Sequence, residues 1–258
     1  MTDVSVIGCG NMGSALLQGL SASDQYAVTA CDLDPDALEA VAEYSSRTTT
    51  DPAVATESEI VVVAVKPDIV EAVLEEIELS PDQTLVSIAA GVPTDVIEQY
   101  TDATVVRVMP NLAAETRTMA AAVTEHSVTD DVRELLDAVG EFVEIDESKM
   151  DIATAVNGSG PAFVYYLLGA MAEAGVDDGL TPEQARLLAA QTFKGAAETV
   201  LQSDRPIDEM IDSVCSPNGT TIEGMEVLWD SDADAAVADA VTAAAERSAE
   251  LASNGDNE

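Results

Sequence analysis

Three glycines, Gly8, Gly10 and Gly13, stand in the hexapeptide GCGNMG, directly after the apolar run VSVI at 4–7 and directly before the helical pattern MGSALLQGL. In that setting Gly8 permits a tight turn, Gly10 lets the backbone come close to a pyrophosphate, and Gly13 lets the helix lie against the strand. The helix N-terminus that follows then faces the phosphates. The chemistry implied is dinucleotide binding. A plain glycine-rich turn between strand and helix would carry the same letters. What separates the two is Asp32, which closes the next strand pattern YAVTACD 24 positions after Gly8. A carboxylate there accepts hydrogen bonds from ribose hydroxyls and repels a 2′-phosphate. No Lys or Arg follows it before Arg47, so the run favours NADH over NADPH. Asp32 also reads as one more surface acid in a chain rich in them.

Lys66 in AVKPD is one of only three lysines and lies where the apolar run 60–65 meets its loop, stiffened by Pro67. A cofactor contact and a solvated loop lysine are equally good readings of it, and positioning is the role expected. Two further stretches, NGSGPAFVYY at 157–166 and CSPNGTTIEGMEVL at 215–228, are small, polar, glycine-bearing loops that open helices. Each offers backbone N–H groups and hydroxyls to an anion, and two such ends could hold one carboxylate. Either alone is more often a helix cap. Cys9, Cys31 and Cys215 lack the spacing of a zinc site or a disulfide framework, so no metal is expected and the thiols read as small buried filler. His126, the single histidine, sits in the polar stretch TEHSVTD and is expected at the surface.

The elements that must carry these residues change character near position 150. Before it, β-branched runs at 4–7, 26–32, 60–65, 84–88 and 104–108 alternate with amphipathic stretches such as DPDALEAVAEY, where Asp34 can cap and Pro35 takes the first helical position. Near-continuous apolar strands alternating with helices imply a parallel sheet covered on both faces. After 150 the strand signal fades into helical, Ala-rich sequence with few aromatics, which packs closely and suits burial against a second copy of itself. The expected fold is α/β: a doubly wound parallel sheet over 1–150, a helical domain over 151–252 and a tail at 253–258.

With 258 residues, 47% of them hydrophobic, and only 15 Gly and 10 Pro, the chain is no collagen, low-complexity or disordered sequence. Its longest clean apolar run, IVVVAV, is far short of the ~20 residues of a membrane span. The N-terminus enters a strand pattern with no basic segment or cleavage site, so a soluble cytoplasmic protein is expected. A net charge of −39 excludes nucleic acid and acidic lipid as partners. Because the acids are spread along the whole chain, they suggest a very salty cytoplasm, where the Debye length shrinks to ~3 Å at 1 M and self-repulsion is screened.

GCGNMGSAL, AVKP, AAGV at 89–92, MPN at 109–111, GSGPAF and SPNGTTIEGMEVL, in this order and spacing, resemble pyrroline-5-carboxylate reductases from about Val4 to Leu251. The resemblance implies an N-terminal Rossmann domain, a C-terminal all-helical dimerisation domain, and hydride transfer from NADH or NADPH to the C=N bond of a cyclic imino acid, giving L-proline. It also implies a homodimer, with rings of dimers common in the family. Carried over by position, Gly8, Gly10, Asn11, Met12 and Gly13 would hold the pyrophosphate, and Ala64, Val65, Lys66, Pro67, Ala89 and Asn111 would line the adenosine and nicotinamide ends. Ser216, Gly219, Thr220 and Thr221 would form the substrate loop, with Ser159 and Gly160 on the neighbouring helix start.

A protonated cyclic imine is already electrophilic and brings its own proton, so positioning and electrostatics suffice. That agrees with the lack of a His, Cys or Lys beside the two loops, and it makes the Thr221 hydroxyl, bonded to the ring nitrogen, the expected polarising group. Departures from the family pattern fall at Leu112, Asn157, Asn218 and Trp229, and Asn218 can supply the left-handed backbone a glycine would. A paralogue acting on another cyclic imino acid and a non-catalytic dinucleotide-binding regulator stand as alternatives. A hydroxyacid dehydrogenase of the 6-phosphogluconate type would need a lysine in PAFVYYLLGAMAEAG, which has none.

Overall fold

The computed structural model describes residues 1–126 and 128–254. By contacts the chain divides into two compact units, Met1–Ser159 together with the chain from Thr242, and Gly160–Val241. The first unit holds β1 (Thr2–Ile7), α1 (Asn11–Ser21), β2 (Tyr26–Cys31), α2 (Pro35–Val41), β3 (Arg47–Thr49), α3 (Pro52–Ala55) and β4 (Ile60–Val63). It continues through α4 (Val70–Glu76), β5 (Thr84–Ser87), α5 (Thr94–Ile97), β6 (Thr104–Met109), β7 (Met119–Thr124), α6 (Asp130–Asp137), β8 (Gly140–Ile145) and α7 (Met150–Ala153). The helices α8 (Gly160–Asp177), α9 (Pro182–Leu201), α10 (Ile207–Val214), α11 (Thr220–Trp229) and α12 (Ala233–Asn254) follow.

The eight strands form one sheet in the order β3-β2-β1-β4-β5-β6-β7-β8. The run from β3 to β6 is parallel, β7 pairs with β6 antiparallel, and β8 returns parallel to β7. This is the doubly wound arrangement expected, with three further strands, β3, β7 and β8, and one reversal where an all-parallel sheet is expected. Side-chain alternation feeds two cores. Val4, Val6, Ile60, Val62, Val86, Val106 and Val108 meet α1, α2 and α6 on one face, while Ile7, Val61, Val63, Leu85 and Val105 meet α3, α4 and α5 on the other. Burial on both sides is why the central strands are almost wholly apolar. Asp34 caps α2 by accepting from Asp36 N–H, with Pro35 at the first helical position.

Three strands went unpredicted. β3 is three residues long, the Ala-rich β7 (MAAAVT) reads as helix-forming, and the acids of β8 (GEFVEI) mask its alternation. The last helix runs to Asn254, two residues into the expected tail, and residues 255–258 lie outside the described ones. His126 is exposed in a turn. No helix is long and apolar enough to cross a membrane among the described residues.

In the helical unit α8 packs on α9, whose start carries a capping box in which Thr181 Oγ1 accepts from Gln184 N–H and Gln184 accepts from Thr181 N–H. Of its described residues only Ala185 and Ala189 are buried. Tyr165, Tyr166, Leu187, Leu188, Val227 and Trp229 are each more than half exposed.

Candidate active site

The strand order reverses between β1 and β4, and at such a switch point the carboxyl ends of the strands leave a crevice for ligands. The three loop glycines meet there in three different environments. Gly8 has φ +101, and a Cβ on it would lie 2.8 Å from the Ala64 carbonyl. Its N–H donates to Cys31 O at 2.8 Å, and Ala64 N–H donates to Ile7 O at 2.8 Å, so the turn is sewn to both neighbouring strands. A Cβ on Gly13 would fall 1.9 Å from the Gly8 carbonyl oxygen, the price of laying α1 on the turn. Gly10 is exposed, and a Cβ there would meet nothing within 4 Å. Steric need therefore explains Gly8 and Gly13 but not Gly10, whose lack of a side chain keeps the approach to the loop open.

Gly10 is also the N-cap of α1. No side chain caps that end and no acid lies in its first turn, so Asn11, Met12 and Gly13 present uncompensated N–H groups to the crevice. In a chain of net charge −39 the missing acid keeps this spot receptive to phosphate. These residues fit a dinucleotide's pyrophosphate.

Asp32 stands beside them and carries a local duty as well. Its Oδ2 accepts from Cys9 N–H at 2.6 Å and its Oδ1 from Asp34 N–H at 2.9 Å, tying the glycine loop to the loop after β2. Each carboxylate oxygen keeps a second lone pair, so ribose hydroxyls could still be accepted. Burial, with the Asp32 charge second, pushes the Cys9 thiol up to about 12, and the same causes raise Cys31 to about 11. Both are buried and protonated, and neither is a nucleophile.

Ala64 and Val65 are half-buried at the end of β4, and Lys66 and Pro67 are exposed at the next turn, with no bond capping it from the Lys66 side chain. Ala89 follows β5 but is 2% exposed and packs in the core with Leu85, Val92 and Ile97. Asn111 follows β6 and is buried. Its Oδ1 accepts from Ala113 N–H and its Nδ2 donates to Asn157 O at 3.1 Å, so its amide is already engaged within the protein.

The second cluster belongs to the helical unit. Gly219 is the N-cap of α11 without a side-chain cap, and its N–H donates to Ser216 O at 2.9 Å, closing a turn. Asn218 has φ 58, the left-handed geometry its type allows. A Cβ on Gly219 would meet Ser216 Oγ at 2.4 Å and Ser216 O at 2.9 Å. Ser216, Thr220 and Thr221 are exposed, and no side-chain hydrogen bond engages either threonine among the described residues. Free hydroxyls and free N–H groups at one helix start can bind a small carboxylate. Gly160 opens α8, where an added Cβ would meet nothing within 4 Å, and Ser159 N–H donates to Thr154 O at 3.0 Å, the last bond of a π-turn over Thr154–Gly158.

A pyrroline-5-carboxylate reductase of Methanosarcina acetivorans is 38% identical over 272 aligned positions, covering 96% of this chain and 97% of its own. The chain belongs to the pyrroline-5-carboxylate reductase family. The Escherichia coli pyrroline-5-carboxylate reductase is 37% identical, again over 96% of this chain and 97% of that one. Crystal structures of this family superpose over nearly the whole chain: that of Plasmodium falciparum with NADP bound has a TM-score of 0.83 at 30% identity, covering 97% of this chain and 98% of that one. The Coxiella burnetii protein has a TM-score of 0.85, also at 30% identity and with the same coverage. Family models match residues 147–251 as pyrroline-5-carboxylate reductase dimerisation and residues 3–91 as NADP oxidoreductase, coenzyme F420-dependent.

Within this pyrroline-5-carboxylate reductase fold, Asn157 acts where the sequence showed only a departure. Its Nδ2 donates to Met109 O at 2.6 Å and to Ala120 O at 2.9 Å, joining β6, β7 and the π-turn. Together with the Asn111 bond this makes a two-amide interlock across 46 positions of chain. Nothing in the spacing of MPN and NGSG announces it.

Proposed function

We propose that this chain reduces 1-pyrroline-5-carboxylate to L-proline by hydride transfer from a nicotinamide dinucleotide, the last step of proline biosynthesis. One observation carries the reading: named reductases are 37–38% identical over 96% of the chain, and family models span both the stretch with the open glycine loop (3–91) and the stretch with the SPNGTTI turn (147–251). Bound dihydronicotinamide supplies the hydride. The chain's part is to hold and orient. The free N–H groups at the start of α1 take the pyrophosphate, and Asp32 takes the adenosine ribose. The N–H groups at the start of α11, with Ser216 and Thr220, take the carboxylate of the substrate ring. The Thr221 hydroxyl faces the ring nitrogen and steadies the iminium as its charge moves. The nitrogen already bears its proton, so no general acid is called for.

Asp32, with exposed Leu33 and Asp34 after it, favours NADH, because no cation is at hand to receive a 2′-phosphate. In an assay at 340 nm in concentrated KCl, kcat/KM should be higher with NADH than with NADPH, and higher with the five-membered imino acid than with the six-membered one. Dinucleotide binding without turnover on either ring would overturn the reductase and favour a regulator.

The exposed apolar residues of α8, α9 and α11 support a homodimer built through the helical unit, and a cytoplasmic setting suits the acidic surface. With ten Lys plus Arg for 49 acids, most carboxylates can face only solvent and its cations. We attribute this to life in concentrated salt. Moving the protein from molar KCl to dilute buffer should lower Tm by at least ~5 °C, about 2 kcal/mol for a chain of this length, and activity should fall with it. Full retention of both in dilute buffer would remove the salt-adapted reading.

A further inference from the structure

At the amino ends of the parallel strands, the edge away from the glycine loop, the first unit has a cavity of about 380 Å³. Ser23, Gln25, Arg117, Glu134, Asp137 and Ala138 line it. Glu134 and Asp137 lie one turn apart at the end of α6, where the helix dipole disfavours anions and no base stands in the last turn. Two like charges in that place call for a cation. Arg117 Nε donates to Ala138 O at 2.8 Å, and no item of side-chain bonding engages the rest of its guanidinium among the described residues. Arginine and acids thus share one cavity, yet no ion pair joins them among the described residues.

Tyr26, the first residue of β2, stands behind the two acids. It is 8% exposed, and its hydroxyl is buried without a partner. Burial, and then the charges of Glu134, Asp137 and Asp131, raise the phenol above its ordinary value, so the hydroxyl lies close to the acids of the cavity. The ring belongs to the apolar core with Val28, Leu135, Leu136 and Val139, whose side chains offer no polar atom. A buried hydroxyl is costly to leave unpaired, and the cavity is the side from which a partner can reach it.

The charges of the lining set the ligand. Two carboxylates and one guanidinium match two cationic groups and one anionic group. A bare metal ion would satisfy the acids and be repelled by the arginine.

We propose that this cavity binds a diamino acid: its two ammonium groups pair with Glu134 and Asp137, the nearer one also bonding the Tyr26 hydroxyl, and its carboxylate lies on the outer edge of Arg117. The site belongs to the first unit alone and stands apart from the reductase reading.

The probe is L-lysine, titrated at one KCl concentration into folded wild type, Tyr26→Phe and Glu134→Gln/Asp137→Asn, with saturation-transfer NMR of the lysine methylene protons as the readout. Cadaverine, which lacks the carboxylate, and L-norleucine, which lacks the second ammonium, serve as controls. Wild type should bind lysine saturably, and both variants should bind it roughly fivefold or more weakly, the loss of one charge-assisted hydrogen bond. Each control should bind wild type more weakly than lysine by at least as much. Melting temperatures of the variants should stay at or above that of wild type, since Tyr26→Phe strands no partner and the two acids are exposed. Absence of saturable lysine binding, equal binding by wild type and either variant, or a control that binds as tightly as lysine overturns the proposal. None of these results bears on imine reduction, which the 340 nm assay decides separately.

Discussion

Gly13→Ala should cost the protein its dinucleotide site and several kcal/mol of stability, whereas Gly10→Ala, three residues away, should leave the fold alone and abolish tight cofactor binding. The first expectation follows from a contact that cannot relax cheaply. The added Cβ would lie 1.9 Å from the Gly8 carbonyl oxygen, which is backbone, and Gly8 is itself held at φ +101 and bonded to Cys31 O. Relief requires α1 to lift from the turn, which also pulls Leu16, Leu17 and Leu20 from the first core. Overpacking of this kind costs about 1–3 kcal/mol and more where backbone must move. At Gly10 the backbone (φ −68, ψ −168) is one any residue adopts, and the new methyl meets nothing. The stability change should stay within about 1 kcal/mol, the scale of an N-cap substitution. The methyl would instead occupy the phosphate's approach, weakening NADH binding by at least ~10-fold, or 1.4 kcal/mol. Thermal melts and NADH titrations on the two variants check this. Gly10→Ala binding NADH as well as wild type would show that the loop is not where the pyrophosphate sits.

Thr221→Ala should lower kcat by about 10²–10³, the scale seen when one preorganised donor is taken from a reacting centre, with NADH affinity unchanged. Thr221 is exposed in the first turn of α11 with a hydroxyl that no group engages among the described residues, so its removal strands no partner and opens no cavity. Stability should not move by more than ~0.5 kcal/mol, as for other surface changes. Single-turnover measurement of NADH oxidation at saturating imine isolates the chemical step. An unaltered rate removes Thr221 from the mechanism. A raised KM with unaltered kcat would assign it to carboxylate binding alone.

The glycine loop was legible because its constraints are local. A turn, a cap and a close helix approach all act within six residues, and residue type records each of them. Asn218 was legible for the same reason, since a left-handed position excludes most side chains and asparagine is one it admits. The sheet was read only where both faces are buried. β7 escaped because alanine at MAAAVT reports small volume and not conformation, and β8 because Glu141 and Glu144 face solvent at an edge. The contact of Glu147 with buried Arg107 and with Thr94 could not have been read at all: Arg107 and Thr94 lie 40 and 53 positions from Glu147, and one acid among 49 carries no mark of being a buried arginine's partner. Asp32 reads in the sequence only as a candidate ribose acceptor, and its bond from Cys9 N–H escapes that reading because it depends on where the glycine loop folds back.

The helical unit hides two alanines and leaves its tyrosines, leucines and tryptophan in the open, which is too little apolar burial for it to stand by itself. In the homodimer proposed above, folding and pairing would form a single equilibrium. The melting temperature should then be a property of the solution as much as of the molecule, rising with protein concentration and falling on dilution; a melting temperature independent of concentration would count against that dimer.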